Sequence, residues 1–186
     1  PAGIGKSWVL SAMGAYAISK GLNVIHYTLE LNEAYVGLRY DSIFSGVESQ
    51  NLKYHKDEVI ERLDKLEGNL TIKYYPTKAC TVNTLSAHLK KVTTFGTKVD
   101  MVLVDYADIM KDINKHTEMR HALGSIYEDL RGLAGEMQIP IWTASQANRS
   151  ALDEDVIEAS KVAESYAKVM TADFVMSLSR KIEDKI

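Results

Sequence analysis

The sequence has one cysteine, three prolines and no apolar run near the roughly 20 residues that a membrane span needs. A lone thiol, Cys80, excludes an intrachain disulfide and a cysteine metal cluster, and we expect it to be packed in the core. The hydrophobic fraction of 46% and charged fraction of 25% exclude disordered and collagen-like classes. The first residues also lack a signal-peptide pattern. We therefore expect a globular cytoplasmic protein with no membrane partner.

A basic surplus is absent too. The chain carries 22 Lys and Arg against 25 Asp and Glu, a net charge of -3 with neutral histidines. Proteins that coat nucleic acid are typically basic overall, so any such contact here must be local. The five histidines lack a metal-ligand spacing and favour no metal site. A length of 186 residues without repeats or linkers predicts one domain over the whole chain.

What the sequence does contain is alternation of strand and helix patterns, which predicts an α/β fold with a mainly parallel sheet. Apolar residues at helical spacing between 117 and 138 predict a helix with one face on a sheet, capped by Thr117. The predicted strands are 23–29, 70–75, 99–105, 139–145 and 173–179, and the predicted helices are 6–20, 33–44, 56–67, 82–95 and 117–138.

The run Gly3-Ile4-Gly5-Lys6-Ser7 is the second half of the phosphate-loop pattern G-x-x-x-x-G-K-[ST]. Small residues let successive N–H groups wrap a phosphate, and the following helix adds its N-terminal donors. In this pattern Lys6 reaches the β- and γ-phosphates and Ser7 binds Mg²⁺. The alternative is an ordinary glycine-rich turn before a helix. The predicted nucleotide-binding residues are Ala2, Gly3, Ile4, Gly5, Lys6, Ser7 and Trp8.

The pattern's first glycine would precede Pro1, so we expect the chain to be part of a longer one.

A second motif is the apolar strand ending in Asp105, which resembles a Walker B motif. In a phosphate-loop fold this carboxylate lies beside the loop and orders Mg²⁺, directly or through water. Asp108 is a weaker candidate, for which a solvated loop acid is the favoured interpretation. Two further strands end in polar residues, one in Glu30 and one in Gln146.

Taken in order, these motifs resemble the motor domain of DnaB-type replicative helicases, which are RecA-like P-loop NTPases. The quoted runs are Tyr27-Thr28-Leu29-Glu30-Leu31, Val102-Leu103-Val104-Asp105-Tyr106 and Ala144-Ser145-Gln146-Ala147-Asn148-Arg149. Other segments, such as Thr171-Ala172-Asp173-Phe174, look most like the helicases of T-even-type bacteriophages. The resemblance implies a RecA-like fold whose first strand precedes this chain.

The resemblance also implies roles for individual residues. Glu30 would be the general base that polarises the attacking water, although an acid that caps the next helix is an alternative. Gln146 would sense the γ-phosphate. Residues 108–116 and 148–155 would be DNA-binding loops, in which Lys111, Lys115 and Arg149 are the candidate contacts.

The expected substrate is ATP or another nucleoside triphosphate with Mg²⁺. The expected partners are single-stranded DNA, five further copies in a homo-hexamer, and a primase and a helicase loader, in the cytoplasm of a bacterial host. An arginine finger and an N-terminal domain would lie outside this chain. A RecA-like recombination or clock-type ATPase is the alternative, because it shares every phosphate contact.

Overall fold

A computed structural model describes residues 5–114, 116–146 and 167–178 of the protein. Within these ranges it contains a parallel sheet of four strands with helices on both faces. The helices are α1 (Lys6–Ser19), α2 (Glu33–Ser45), α3 (Lys56–Leu63), α4 (Val82–Thr94), α5 (Met119–Met137) and α6 (Ala167–Thr171). The strands are β1 (Val24–Thr28), β2 (Leu70–Tyr74), β3 (Met101–Asp105) and β4 (Ile141–Thr143).

The strand order is β2-β1-β3-β4, with all three pairings parallel. Val24 of β1 is aligned with Leu70 on one side and Met101 on the other, and Val102 of β3 is aligned with Ile141. Every residue of β1 is buried, as expected for a central parallel strand covered on both faces. The predicted α/β class is therefore confirmed.

Alternate residues of the central strands face two separate apolar clusters. Val24 and Leu103 pack against α1 and α2, whereas Ile25, Val102 and Val104 pack against α4 and α5. The predicted stripe of the long helix is confirmed, since four of its members are buried, namely Leu123, Ile126, Leu130 and Leu133. Cys80 is buried as expected, and burial raises the pKa of its thiol to about 12.

Local capping explains where several helices begin. Asn32 accepts a hydrogen bond from the backbone N–H of Tyr35 at 3.0 Å, and Thr81 and Thr84 form a reciprocal capping box at the start of α4. The predicted cap Thr117 is wrong. The long helix begins at Met119, so the residue before its first turn is Glu118, which makes no side-chain capping bond.

The predicted strand 173–179 is also wrong over its described part, since residues 173–178 form no strand. Apolar composition favours a strand only where a neighbouring strand is available to pair with it. Phe174 is instead largely exposed, with its ring edge-on to Trp142. Arg131 fixes the preceding turn by donating to the carbonyl of Thr171 and the carboxylate of Asp173.

None of the helices in the described ranges has the length and hydrophobicity that crossing a membrane requires.

Candidate nucleotide-binding site

Three of the predicted site residues lie at the same edge of the sheet. Asp105 is the last residue of β3, while Glu30 and Gln146 follow closely after β1 and β4. The strands run parallel in close register, with Thr28 opposite Asp105 and Val104 opposite Thr143. Ligands in open α/β sheets bind outside the carboxyl ends of the strands. The topology thus brings these side chains together at the edge where a ligand is expected.

The N-terminus of α1 faces this edge. Gly5 precedes the helix with a φ of 102°, a left-handed conformation that glycine adopts without a steric penalty. Lys6, Ser7 and Trp8 form the first turn, where backbone N–H groups have no partner within the helix. Such a helix end is suited to binding phosphate. Ala2, Gly3 and Ile4 lie outside the described residues.

Ser7 lies close to the carboxylate of Asp105, which is buried at the end of its strand. Burial raises the pKa of Asp105, the Ser7 hydroxyl and the positive charges of Arg39 and Lys6 oppose that rise, and the charge of Glu30 adds to it. In the part of the chain that the structure describes, the carboxylate oxygen Oδ2 has no hydrogen-bond partner.

This arrangement fits a magnesium ion. Mg²⁺ prefers hard oxygen ligands and is usually held by one or two protein groups, with water and substrate phosphates completing the shell. The hydroxyl of Ser7 and the buried, unpartnered oxygen of Asp105 supply two such groups side by side. Within the described ranges, no group of three His, Cys, Asp or Glu side chains is placed to hold a metal ion by itself. Phosphate and water oxygens would complete the shell of an ion held by Ser7 and Asp105.

Glu30 is exposed at the rim of the site. Burial raises the pKa values of Asp105 and Tyr106, and the negative charge of Glu30 raises both to a smaller extent. The Glu30 carboxylate therefore lies near these two residues. The alternative that Glu30 caps α2 is wrong, because Asn32 caps this helix. The general-base role stays a prediction.

Gln146 is held by its side-chain amide. Its Nε2 donates to the hydroxyl of Tyr106 at 3.2 Å, and its backbone N–H lies 3.4 Å from a carboxylate oxygen of Asp108. The amide therefore connects the end of β4 to the residue directly after Asp105. A sensor role, still a prediction, needs such a link between neighbouring strand ends.

Asp108 departs most from the sequence interpretation. The sequence favours a solvated loop acid at this position, but the Asp108 side chain is only 13% exposed. It accepts hydrogen bonds from Tyr127 at 2.8 Å and Ser145 at 3.0 Å, and pairs with Lys168 at 3.0 Å. Lys168 was missed altogether, and no local pattern marks it, because its partner lies 60 positions earlier in the chain.

Arg39 is a second residue that sequence reasoning missed. Its guanidinium lies over the ring of Trp8, 5.5 Å from the centroid, and its positive charge lowers the pKa of Asp105. Its position on α2 projects it toward the start of α1. The sequence shows only a helical arginine, which is ordinarily a solvent-facing residue.

Of the three predicted DNA contacts, the structure describes Lys111 alone. Lys111 is exposed, and its backbone N–H donates to the carbonyl of Cys80 at 2.8 Å. Lys115 and Arg149 lie outside the described residues. Asp112 follows Lys111 directly in the sequence. Burial raises the pKa of Asp112, but hydrogen bonds from His116 and Asn114 outweigh this effect and lower the pKa to about 2. This acid keeps a negative charge next to the lysine.

Comparison with known proteins gives a consistent family. Residues 1–185 match the model of the DnaB-like helicase C terminal domain. The chain is 29% identical over 187 residues to the DnaB-like replicative helicase of Enterobacteria phage T4, covering 94% of this chain and 39% of that protein. It is 26% identical over 158 residues to the replicative DNA helicase DnaB of a Helicobacter pylori strain, covering 82% of this chain and 32% of that protein.

Solved structures show the same fold. A DnaB-like replicative helicase, described together with its interactions with primase, superposes with a TM-score of 0.78 at 16% identity, covering 92% of this chain and 43% of that chain. A separate ATPase domain superposes equally well, and 64% of that chain is covered. The chain thus spans about two fifths of the length of its phage relative. The RecA-like fold and the resemblance are confirmed, and the chain belongs to the DnaB-like helicase C-terminal domain family.

Proposed function

We propose that this domain is the motor of a replicative DNA helicase, which hydrolyses ATP or another nucleoside triphosphate to translocate on single-stranded DNA and unwind duplex. The observation that carries the proposal is the buried Asp105 carboxylate beside Ser7, with one oxygen that has no hydrogen-bond partner among the described residues and is left for a cation. Lys6 and Glu30 are near enough to act electrostatically on the same carboxylate. Phosphoryl transfer is catalysed mainly by such positioning and charge.

Each residue has a distinct task in this proposal. Lys6 and the N-terminus of α1 bind the triphosphate, and Ser7 and Asp105 would hold Mg²⁺, which neutralises phosphate charge when bound. Glu30 accepts a proton from the attacking water. The water oxygen bonds to the γ-phosphorus as the bond from that phosphorus to the bridging oxygen of the β-phosphate breaks. Gln146 responds to the presence of the γ-phosphate, and Tyr106 holds its amide when that phosphate is gone.

The assembly and partners are part of the proposal and rest on the resemblance to DnaB-type helicases. We place the domain in a homo-hexamer that encircles single-stranded DNA, with Lys111, Lys115 and Arg149 as phosphate contacts. One structural neighbour is described with primase, which supports a primase partner here, and a helicase loader is a further candidate. The bacterial host cytoplasm suits this role for a phage-encoded protein.

A RecA-like recombination or clock-type ATPase would use the same phosphate contacts. The family match and the replicative relatives favour the helicase.

The test measures triphosphate hydrolysis by the full-length polypeptide with and without single-stranded DNA, and strand displacement on a forked duplex. Hydrolysis should be stimulated by DNA, and both activities should be lost in Lys6→Ala, which removes the cation aimed at the phosphates. Lys20→Ala is a matched control, because Lys20 lies at the other end of the same helix and is exposed. Hydrolysis without DNA stimulation or strand displacement would instead support the alternative ATPase.

A further inference from the structure

The ion pair between Lys168 and Asp108 joins a buried lysine to a largely covered aspartate. The Lys168 side chain is 2% exposed, and its ammonium lies 3.0 Å from Asp108 Oδ2 and 5.6 Å from the centroid of the Tyr127 ring. A lysine is almost never this buried unless it is paired. Most other ion pairs in the described residues, such as Lys90–Glu136, join two side chains that are about half exposed or more. This pair therefore differs in kind from the surface pairs of the protein.

Asp108 is the centre of a small polar network. Its two oxygens accept hydrogen bonds from Tyr127 and Ser145, and Lys168 also donates to the Ser145 hydroxyl at 3.2 Å. The network joins three elements, because Asp108 lies in the turn Ala107–Ile109 after β3, Tyr127 lies on α5 and Lys168 on α6. All of them converge on the polypeptide directly after β4.

The contacts converge on Ser145, the residue directly before Gln146. The backbone N–H of Gln146 also points to Asp108 Oδ2, at 3.4 Å. Asp108 in turn is only three positions after Asp105. The network thus connects the ends of β3 and β4.

We propose that Asp108 and Lys168 are positioning residues that hold Gln146 in register with Asp105 during nucleotide turnover. The inference rests on the proposed function, since it names what keeps the γ-phosphate sensor in place. A buried ion pair is weak evidence of added stability, because desolvation of two charges opposes their attraction. It does impose a defined geometry, and here that geometry is imposed on the residue before the sensor.

A positioning role for Asp108 and Lys168 predicts an effect on turnover without an effect on nucleotide affinity. The proposed triphosphate contacts lie at the start of α1, whereas the network joins the turn after β3, α5, α6 and the end of β4. Loosening the end of β4 should therefore leave nucleotide affinity largely unchanged. It should slow the step that needs Gln146 in place. Residues that orient metal ligands typically change affinity or activity by about 10-fold to 100-fold when removed, and we expect an effect of the same order for residues that orient Gln146.

The experiment compares kcat and KM for DNA-stimulated triphosphate hydrolysis by the full-length polypeptide. Lys168→Met and Asp108→Asn should each lower kcat by about 10-fold or more with KM changed less than about 2-fold. Because the two residues act as one unit, the double variant should lose no more than the worse single variant. Lys90→Met breaks the exposed ion pair with Glu136, whose nitrogen–oxygen distance is 2.6 Å, and it should keep the wild-type kcat.

A milder variant covers the case in which Lys168→Met does not fold. Tyr127→Phe keeps the ring and both charges and removes only the hydroxyl that donates to Asp108, so kcat should fall by about 3-fold. Folding of each variant is checked by circular dichroism and urea titration. Folded Lys168→Met or Tyr127→Phe with the wild-type kcat would overturn the inference, as would a change confined to KM. A wild-type protein that shows no DNA-stimulated hydrolysis would instead refute the proposed function.

Discussion

The stability of this domain should depend on pH through one buried histidine. His26 lies in the middle of β1 with no exposed surface, and its Nδ1 is 2.9 Å from the hydroxyl of Tyr40. Its Nε2 is buried without a hydrogen-bond partner among the described residues. Burial, and to a lesser extent the positive charge of Arg39, lowers the pKa of His26 from 6.5 to about 4. The folded protein therefore keeps this ring neutral at pH values where the unfolded chain binds a proton.

The size of the effect follows from the two pKa values of His26. Each pKa unit corresponds to about 1.4 kcal/mol, so the interval from 6.5 to about 4 corresponds to about 3 kcal/mol. The sign is fixed because the unfolded state binds more protons. Stability contributed by the neutral ring is fully present above pH 6.5 and is lost as the pH falls toward 4. That is a large share of the roughly 5–15 kcal/mol by which domains are stable.

The assay is urea unfolding at several pH values between 7 and 4, comparing the wild type with His26→Asn. Relative to His26→Asn, the wild type should lose about 3 kcal/mol of unfolding free energy as the pH falls over this range, because Asn does not titrate and every other group is common to both. Tyr40→Phe is the matched control. It removes the hydrogen bond to Nδ1 but keeps the histidine, so it should be less stable at pH 7 and retain the wild-type slope. Parallel pH curves for the wild type and His26→Asn would refute the reasoning.

Three further predictions concern the site and the packing beneath it. Glu30→Gln should retain triphosphate affinity but lower kcat by about 10² to 10⁴, since an amide cannot accept a proton; turnover near the wild-type rate would move the base role elsewhere. Asp105→Asn should shift the Mg²⁺ titration of hydrolysis to higher concentration while leaving nucleotide binding largely in place, and an unchanged titration would remove Asp105 from the metal site. Gly14→Ala should destabilise the fold by about 1–3 kcal/mol in urea unfolding, because a Cβ there would lie 2.8 Å from the Leu103 side chain. Gly132→Ala, where nothing lies within 4 Å, should be neutral or slightly stabilising.

The secondary structure could largely be predicted from the sequence because its signals are local. The apolar stripe of α5 and the continuous apolar run of β3 are periodic patterns within one element, and both elements form where those patterns lie. The phosphate-loop pattern before α1 is equally local. The strand expected at 173–179 failed for the opposite reason, since a strand needs a partner that its own composition does not supply.

The candidate site was predictable in part. Lys6, Ser7, Glu30, Asp105 and Gln146 all follow from short motifs, because each motif is a strand or turn that ends in a particular side chain. The order β2-β1-β3-β4 then decides that these ends are neighbours. A motif indicates which residue is polar, but only the pairing of strands brings the residues of separate motifs into one site.

The environment of each site residue was decided by the tertiary structure alone. Asp108 has the sequence context of a loop acid, yet it is largely covered and pairs with a lysine 60 positions away. Arg39 lies over Trp8 because two helices pack side by side. The motifs by themselves therefore determined which residues could carry the proposed chemistry, because that choice depends on residue type and local spacing. Burial and charge pairing depend on contacts between distant segments, and these exist only once the chain has folded.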